Sequence, residues 1–161
     1  MQKKLAIIGY SFGYRIDQFG QKTPGPVNKA LAQEVEKLHQ EVGGGLVVLQ
    51  GEIADCVKEF KPDLVVRAHR FAGEYLDSEE LTIQASVFLR QHGVNQVWLV
   101  AYSGLHRAKC RQLLRIQGFQ VQILTICKIP YDTESAQWWT RSLLKEVWYS
   151  ILQILIGRKG R

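Results

Sequence analysis

The sequence predicts an α/β protein in which a mostly parallel sheet of about five strands lies between two layers of helices. Apolar blocks rich in β-branched residues alternate with longer helical patterns, which is typical of strands joined by crossover helices rather than by hairpins. The blocks are almost continuously apolar, as strands are when helices cover both faces of a parallel sheet. A length of 161 residues and a hydrophobic content of 46% suit one core, so we expect a single domain over residues 1–161.

Five apolar blocks predict the strands, at residues 5–8, 46–49, 64–66, 97–101 and 119–126. Apolar residues recur at helical spacing from Leu31 to Val42, which predicts a helix after the first strand. A run of three glycines that begins at Gly43 is expected to end this helix. Before the fourth strand, Asp77 and Glu80 form a capping-box variant that predicts the start of another helix.

A long final helix is predicted over about residues 135–156, after the break at Pro130. Its apolar part, residues 143–156, is about half the length that a bilayer span requires, so we expect this helix to dock onto the sheet. The alternative is a helix whose three tryptophans, Trp138, Trp139 and Trp148, contact a partner.

Cysteine content and hydropathy exclude several classes of function. Three cysteines, Cys56, Cys110 and Cys127, are too irregularly spaced for a disulfide framework or a zinc site, so we expect reduced thiols and no metal. The sequence has no apolar run long enough to span a bilayer and no signal-peptide core, which predicts a cytoplasmic protein without a transmembrane segment. The sequence leaves the choice between a monomer and a homo-oligomer open.

The net charge of +6 raises the question of nucleic-acid binding. Part of that charge lies in the terminal segments, around Lys3 and Lys4 and around Arg158 and Arg161, and the aromatic residues do not alternate with basic ones. We therefore expect no specific nucleic-acid binding. A basic mouth that attracts a polar or anionic small molecule explains the same charge.

Ligands of open parallel α/β sheets bind at the carboxyl ends of the strands, where loops converge. That rule selects as ligand-binding candidates Gly9, Tyr10, Ser11, Gln50, Gly51, Glu52, His69, Arg70 and Asp132, and as catalytic candidates Ser103, His106 and Arg107. Arg107 would clamp an anionic group, His106 would bind or transfer a proton, and Ser103 would contact the edge of the ligand. The competing interpretation makes His106 a core residue and Arg107 a solvated one.

A helical wheel of residues 105–116, at about 100° per residue, separates two of these candidates. His106 falls on an apolar face and Arg107 on an opposite, basic stripe. The apolar face also contains Leu105, Cys110, Leu113 and Ile116, and the basic stripe also contains Arg111 and Arg115. We therefore expect His106 to face inward and Arg107 to face either solvent or the mouth of the site.

No motif identifies the reaction. The first loop has glycines at Gly9 and Gly13 without a G-x-G-x-x-G pattern, and the sequence lacks a P-loop, an H-E-x-x-H pair and a G-x-S-x-G elbow. Without a dinucleotide fingerprint or a redox cysteine pair, a hydrolase or group-transfer enzyme is favoured over a redox enzyme. A non-catalytic ligand sensor is the alternative from another class.

The order of these predicted strands, loops and helices resembles that of the YdcF-like family, the bacterial group that includes SanA and ElyC. The strongest part is VWLVAYSGLHRAKCRQLLRIQGF, which is similar to that family's apolar strand, small polar link, His with a nearby Arg, and helix ending in Gly-Phe. Weaker similarity extends over most of the chain, in IIGYSFG, LVVLQGE, YLDSEELTIQA and IPYDTESAQWWTRS.

The resemblance implies a Rossmann-like domain of uncharacterised activity, with a link to S-adenosylmethionine in parts of the family. Carried over by position, its pocket would hold Gly9, Gln50, Gly51, Glu79, Ser103, His106 and Arg107. Glu52 or Glu79 would complement a ligand hydroxyl or amine. The sequence departs from the family where Gln50, Gly51 and Glu52 replace a Ser-Gly-Gly turn, and the added negative charge weakens the case for a phosphorylated nucleotide.

Overall fold

The computed structural model describes residues 5–102, 104–124 and 129–157, the last four of them by their backbone only. In chain order the elements are β1 (Leu5–Tyr10), β2 (Arg15–Ile16), β3 (Lys22–Thr23), α1 (Pro26–Glu41), β4 (Leu46–Gln50), α2 (Gly51–Ala54), β5 (Leu64–Val66), α3 (Ser78–Gln91), β6 (Gln96–Ala101), α4 (Leu105–Ile116), β7 (Gln120–Ile123) and α5 (Leu143–Gly157). A 3-10 turn, Trp138–Thr140, precedes α5.

Strands β5, β4, β1, β6 and β7 form, in that order, one parallel sheet. The chain moves outward from β1 through β4 and β5 and then returns to the other side of β1 for β6 and β7, which is the Rossmann-like order. The predicted α/β class and its five parallel strands are confirmed. Strand β7 is shorter than the predicted 119–126, of which residues 125 and 126 lie outside the described part of the chain.

Helices cover both faces of the sheet because successive strand residues point to opposite sides. On one face, Leu81 of α3 and Leu114 of α4 pack in the same cluster as Ile8. On the other face, Leu31 of α1 packs in a second cluster with Ile7. The three-layer arrangement thus follows from the continuously apolar strands.

The final helix begins later than predicted, at Leu143 rather than near residue 135. In the segment before it, Ser135 Oγ accepts the backbone N–H of Gln137 at 3.2 Å, and Thr140 Oγ1 donates to the Gln137 carbonyl at 2.8 Å. Side-chain bonds of this kind compete with the helical hydrogen-bond ladder. The segment therefore forms turns and the 3-10 turn instead of the first two turns of α5.

The described part of α5 packs chiefly on α4 and on the 3-10 turn, whereas the sequence predicts a helix that docks onto the sheet. The ring of Tyr149 stacks on that of Trp139, with centroids 4.5 Å apart. Other apolar side chains of α5 face solvent, with Leu144 82% and Trp148 58% exposed. None of the helices in the described residues combines the length and the hydropathy that a membrane crossing needs.

Candidate functional site

The strand order reverses beside β1, where the loops after β1 and β6 meet. Phe12 and Tyr102, which follow these strands, stack with ring centroids 4.2 Å apart and planes 7° from parallel. The ring centroid of His106 lies 5.1 Å from that of Phe12, and the centroid of Tyr131 lies 5.0 Å from that of Tyr102. Ligands of Rossmann-like proteins commonly bind in this crevice. Here the protein's own rings fill it.

His106 is half-buried, with its ring tilted against that of Phe12 and its Nδ1 atom buried. Burial, with a smaller contribution from the positive charge of Lys109, lowers the pKa of His106 to about 3. Its Nδ1 has no hydrogen-bond partner among the described residues, and its Nε2 lies 3.6 Å from Sγ of Cys110. His106 therefore faces inward, as predicted, and is neutral at pH 7.

The buried face of α4 differs from the predicted one. Cys110 and Leu114 are fully buried, whereas Leu105 is 41% and Ile116 69% exposed. Arg107 lies about 20° from Leu114 on the wheel, so it borders the buried face and is itself half-buried. The prediction that His106 and Arg107 lie on opposite faces, one buried and one exposed, is wrong. It was based on hydrophobicity alone, whereas the burial of each side chain depends on its contacts with the sheet and α3.

A carboxylate from α5 occupies the amino terminus of α4. Glu146 is buried; its Oε1 accepts the backbone N–H of His106 at 2.9 Å, and its Oε2 accepts the hydroxyl of Tyr131 at 2.7 Å. The unpaired N–H groups and dipole of a helix start favour a negative charge there. An internal carboxylate thus lies where an anionic ligand was expected beside Arg107. Ser103, the other residue expected at this place, lies outside the described residues.

Asp132, a predicted ligand-binding residue, is bonded to Arg15 at the start of β2. Its carboxylate accepts two hydrogen bonds from Arg15, at 2.7 and 2.9 Å, and one from the backbone N–H of Glu134 at 3.1 Å. The Arg15 guanidinium lowers the pKa of Asp132. A Cβ at Gly25 would come within 2.5 Å of Asp132 Oδ2, so the glycine leaves room for this pair. These contacts give Asp132 a structural role.

Three other predicted residues differ in their exposure. A Cβ at Gly9 would lie 2.7 Å from the Leu49 side chain, so this glycine lets the core pack closely against β1. Tyr10 is fully buried, and its hydroxyl lies 2.7 Å from Thr82 Oγ1. Glu79 is exposed in the first turn of α3. Gly9 and Tyr10 are therefore core residues, whereas Glu79 is accessible.

A cleft of about 240 Å³, which we call the Glu52 cleft, opens between the loops after β4 and β5 and the β2–β3 hairpin. Its polar lining includes Tyr14, Lys22, Gln50, Glu52, Arg67, His69 and Tyr75. Gln50 is oriented by the backbone N–H of Ser11, which donates to its Oε1 at 3.1 Å. Beside it, a Cβ at Gly51 would lie 3.1 Å from Nη1 of Arg67. The predicted residues Gln50 and Glu52 thus meet in one cleft.

Glu52, a residue of this lining, has an unsatisfied carboxylate oxygen. Its Oε2 is buried and has no hydrogen-bond partner among the described residues, although buried polar atoms are nearly always paired. Tyr75, also in the lining, accepts a hydrogen bond from Nε2 of Gln137. Tyr75 is 54% exposed, and partial burial, with a smaller contribution from the Glu52 carboxylate, raises the pKa of Tyr75 to about 12. The cleft therefore combines an unpaired acceptor with a neutral phenol.

The imidazole of the cleft, His69, is engaged at both ring nitrogens. Its Nδ1 accepts the backbone N–H of Phe71 at 3.0 Å, and its Nε2 lies 3.4 Å from Oε2 of Glu80. Glu80 also accepts hydrogen bonds from Arg70 at 2.8 and 3.1 Å, and these lower the pKa of Glu80 to about 2. This network attaches the loop after β5 to α3 and fixes the wall of the cleft.

The two cations of the lining differ in their partners. Arg67 donates to both oxygens of Asp55, at 2.6 and 3.2 Å. Lys22 lies 4.5 Å from the centroid of the Tyr14 ring and forms no ion pair among the described residues. Lys22 is therefore the cation best placed to meet a negative group of a ligand.

Two kinds of residue around the candidate site were not predicted from the sequence. Tyr14 lies in the loop after β1, which the strand-end rule selects, but was not named as a candidate. Lys22 and Tyr75 lie farther from the strand ends, and an aromatic residue in a polar loop is a signal for Tyr75. Glu146 was also missed. It is the only acidic residue of α5, and an isolated acid in an apolar helix was a signal that it has a partner.

No family model matches the chain, and no curated protein matches it. The resemblance to the YdcF-like family therefore rests on the sequence motifs quoted above. Since a fold hosts many activities, the function is argued from the geometry of the site.

Proposed function

We propose that the protein binds a small polar metabolite in the Glu52 cleft, with the Glu52 carboxylate accepting a hydrogen bond from a hydroxyl or amine of the ligand. The observation that carries the proposal is the buried Oε2 of Glu52, which has no partner among the described residues. A buried charged oxygen without a partner is destabilising, and a donor from a ligand relieves that penalty.

The position of Glu52 favours a ligand with a ribose. In Rossmann-like sheets an acidic side chain of this kind hydrogen-bonds the ribose hydroxyls of a bound nucleotide. Glu52 lies two residues after β4, the strand that pairs with β1. A nucleoside-type metabolite such as S-adenosylmethionine fits this arrangement, and Lys22 would meet its carboxylate.

Binding is favoured over catalysis because the cleft's imidazole is already engaged. His69 accepts a backbone N–H at Nδ1 and faces Glu80 at Nε2, so neither nitrogen is available as a general base. A ligand-sensing role therefore fits the geometry better than a hydrolytic or group-transfer reaction.

The test is isothermal titration with adenosine and with S-adenosylmethionine, together with mass spectrometry of small molecules that co-purify with the protein. Glu52→Gln should weaken binding about tenfold to hundredfold, since a hydrogen bond to a charged group contributes about 1.5–3 kcal/mol. The matched control is Glu59→Gln, which removes the same charge from an exposed residue outside the cleft lining and should leave affinity unchanged. Equal affinity of Glu52→Gln and the parent protein, or the lack of any bound or titratable metabolite, would overturn the proposal.

A further inference from the structure

Helix α4 carries four Lys or Arg side chains and no acidic one. Three of them, Arg107, Arg111 and Arg115, recur at every fourth residue, so they fall within an arc of about 80° on the helical wheel. We call these three residues the α4 stripe. The fourth cation, Lys109, lies about 160° from the centre of the stripe. The α4 stripe is therefore a row of positive charge along one side of the helix.

The charge of the α4 stripe is not neutralised within the described part of the chain. All 15 acidic residues of the sequence lie in that part, yet none of them forms an ion pair with the stripe. The Nε atom of Arg111 is buried and has no hydrogen-bond partner among the described residues, although buried polar atoms are nearly always paired. Three arginines elsewhere in the protein do bind a carboxylate: Arg15, Arg67 and Arg70.

The α4 stripe destabilises the free protein. Arg111 is repelled by Arg107 on one side and by Arg115 on the other, because like charges four residues apart on a helix are neighbours. Arg107 also lies in the first turn of α4, where the helix dipole disfavours a positive charge. Water and salt only screen these repulsions, whereas a bound anion would offset them.

The spacing of the α4 stripe fits a phosphodiester backbone. From Arg107 to Arg115 the helix rises by about 12 Å, and over that length one strand of a duplex carries about three or four phosphates. Guanidinium groups bind phosphate oxygens in a bidentate manner. The exposed apolar residues of α4, Leu105 and Ile116, lie about 120° or more from the centre of the stripe. The stripe therefore lacks the apolar side chains with which a helix enters a bilayer or forms the core of a protein interface.

We propose that the α4 stripe binds the phosphate backbone of double-stranded nucleic acid without regard to base sequence. Contacts with phosphates position a protein on a duplex but do not read its sequence, so the expectation of no specific nucleic-acid binding still holds. The net charge of +6 adds to the attraction. Helix α4 is described throughout, and none of its residues lines the Glu52 cleft, so this surface is independent of the metabolite proposed to bind there.

The test is fluorescence anisotropy of the full-length protein with two labelled DNA duplexes of unrelated sequence, at about 50 mM and about 200 mM salt. With three phosphate contacts, affinity should fall about fortyfold between these salt concentrations, because the logarithm of affinity has a slope of about −0.9 per contact. Arg115→Gln should reduce this factor to about twelvefold, and Arg111→Gln combined with Arg115→Gln should reduce it to about fourfold. Arg115 is exposed, so circular dichroism of the single variant should show an unchanged fold.

The matched control is Lys61→Gln, which removes one positive charge from an exposed residue that forms no ion pair in the described structure. Lys61 precedes β5, which lies at the opposite edge of the sheet from β7, one of the strands on which α4 packs. Lys61→Gln should keep the affinity within about twofold of the parent protein and should leave the salt dependence unchanged.

Four results would overturn the proposal. The first is a lack of binding to either duplex at about 50 mM salt, and the second is a preference of more than about tenfold for one of the two sequences. The third is an equal loss of affinity for Arg115→Gln and Lys61→Gln, which would show that only the net charge matters. The fourth is displacement of the labelled duplex by polyglutamate at a lower concentration of charge than by unlabelled duplex, which would point to an acidic protein as the partner.

Discussion

The buried imidazole of His106 should make the protein less stable in mild acid. In the folded state its pKa is about 3, against an ordinary value of 6.5, chiefly because burial disfavours the charged form. Below pH 6.5 the unfolded chain binds a proton at this histidine and the folded chain does not. The unfolded state is therefore stabilised as the pH falls from about 6.5 towards 3.

The magnitude follows from the two pKa values. A difference of one pKa unit corresponds to about 1.4 kcal/mol. At pH 5 the solution is 1.5 units below the unfolded pKa and still well above the folded one, so His106 should lower the free energy of unfolding by about 2 kcal/mol. At pH 7.5 its contribution is close to zero, because both states are then neutral at this residue.

Urea unfolding at pH 7.5 and pH 5 measures the effect, with His106→Gln as the variant. The variant loses packing at both pH values, but the additional loss of about 2 kcal/mol between them should disappear. His92→Gln, which makes the same replacement at an exposed histidine, is the matched control. If His106→Gln kept the full difference between the two pH values, burial of His106 would not be the cause of the acid sensitivity.

Two further predictions concern the loops and walls around the site. Gly13→Ala should lower the melting temperature more than Gly20→Ala. Both glycines have similar positive φ angles, 73° and 76°, which strain any other residue. A Cβ at Gly13 would also lie 2.6 Å from Ser135 Oγ and 2.7 Å from Thr140 Oγ1, whereas a Cβ at Gly20 would meet nothing within 4 Å. Calorimetry checks this, and equal shifts would contradict it. Glu80→Gln should reduce the free energy of unfolding at pH 7. The difference from the parent protein should shrink as the pH falls from 4.5 to about 2. The Arg70 guanidinium lowers the pKa of Glu80 to about 2, and the stabilisation is lost when Glu80 is protonated. A difference that persists below pH 2 in acid titration monitored by circular dichroism would speak against the ionic contact.

The sequence anticipated features that depend on near neighbours along the chain. Asp77 caps α3 by accepting the backbone N–H of Glu80 at 2.9 Å, as the capping pattern predicts, because donor and acceptor are three residues apart. The strands are recognisable because burial on both faces of a parallel sheet requires apolar residues without interruption. The apolar run of β4 also predicts that Gln50 and Glu52 follow the end of this strand, and both residues line the cleft.

Pairing between distant residues could not be predicted in this way. Asp132 looks like a free loop carboxylate in the sequence, and only the folded chain shows that it is bonded to Arg15, 117 positions away. Likewise, nothing near Glu146 in the sequence indicates that its carboxylate caps α4, 40 positions earlier. Local patterns omit such contacts because residues far apart in the chain meet only when the layers pack.

The class of fold, the succession of the five sheet strands along the chain, and the edge of the sheet at which to look for a site could all be predicted from the sequence, since they follow from the periodicity of apolar residues. Folding alone shows which part of that edge is open: the buried rings of Phe12 and Tyr102 stack beside β1, while the neighbouring cleft is lined by Glu52, whose Oε2 is unpaired among the described residues. It also decided that α5 presents its apolar face to solvent. Exposure and hydrogen-bond satisfaction are properties of a side chain's neighbours in space, and the chain acquires those neighbours only by folding.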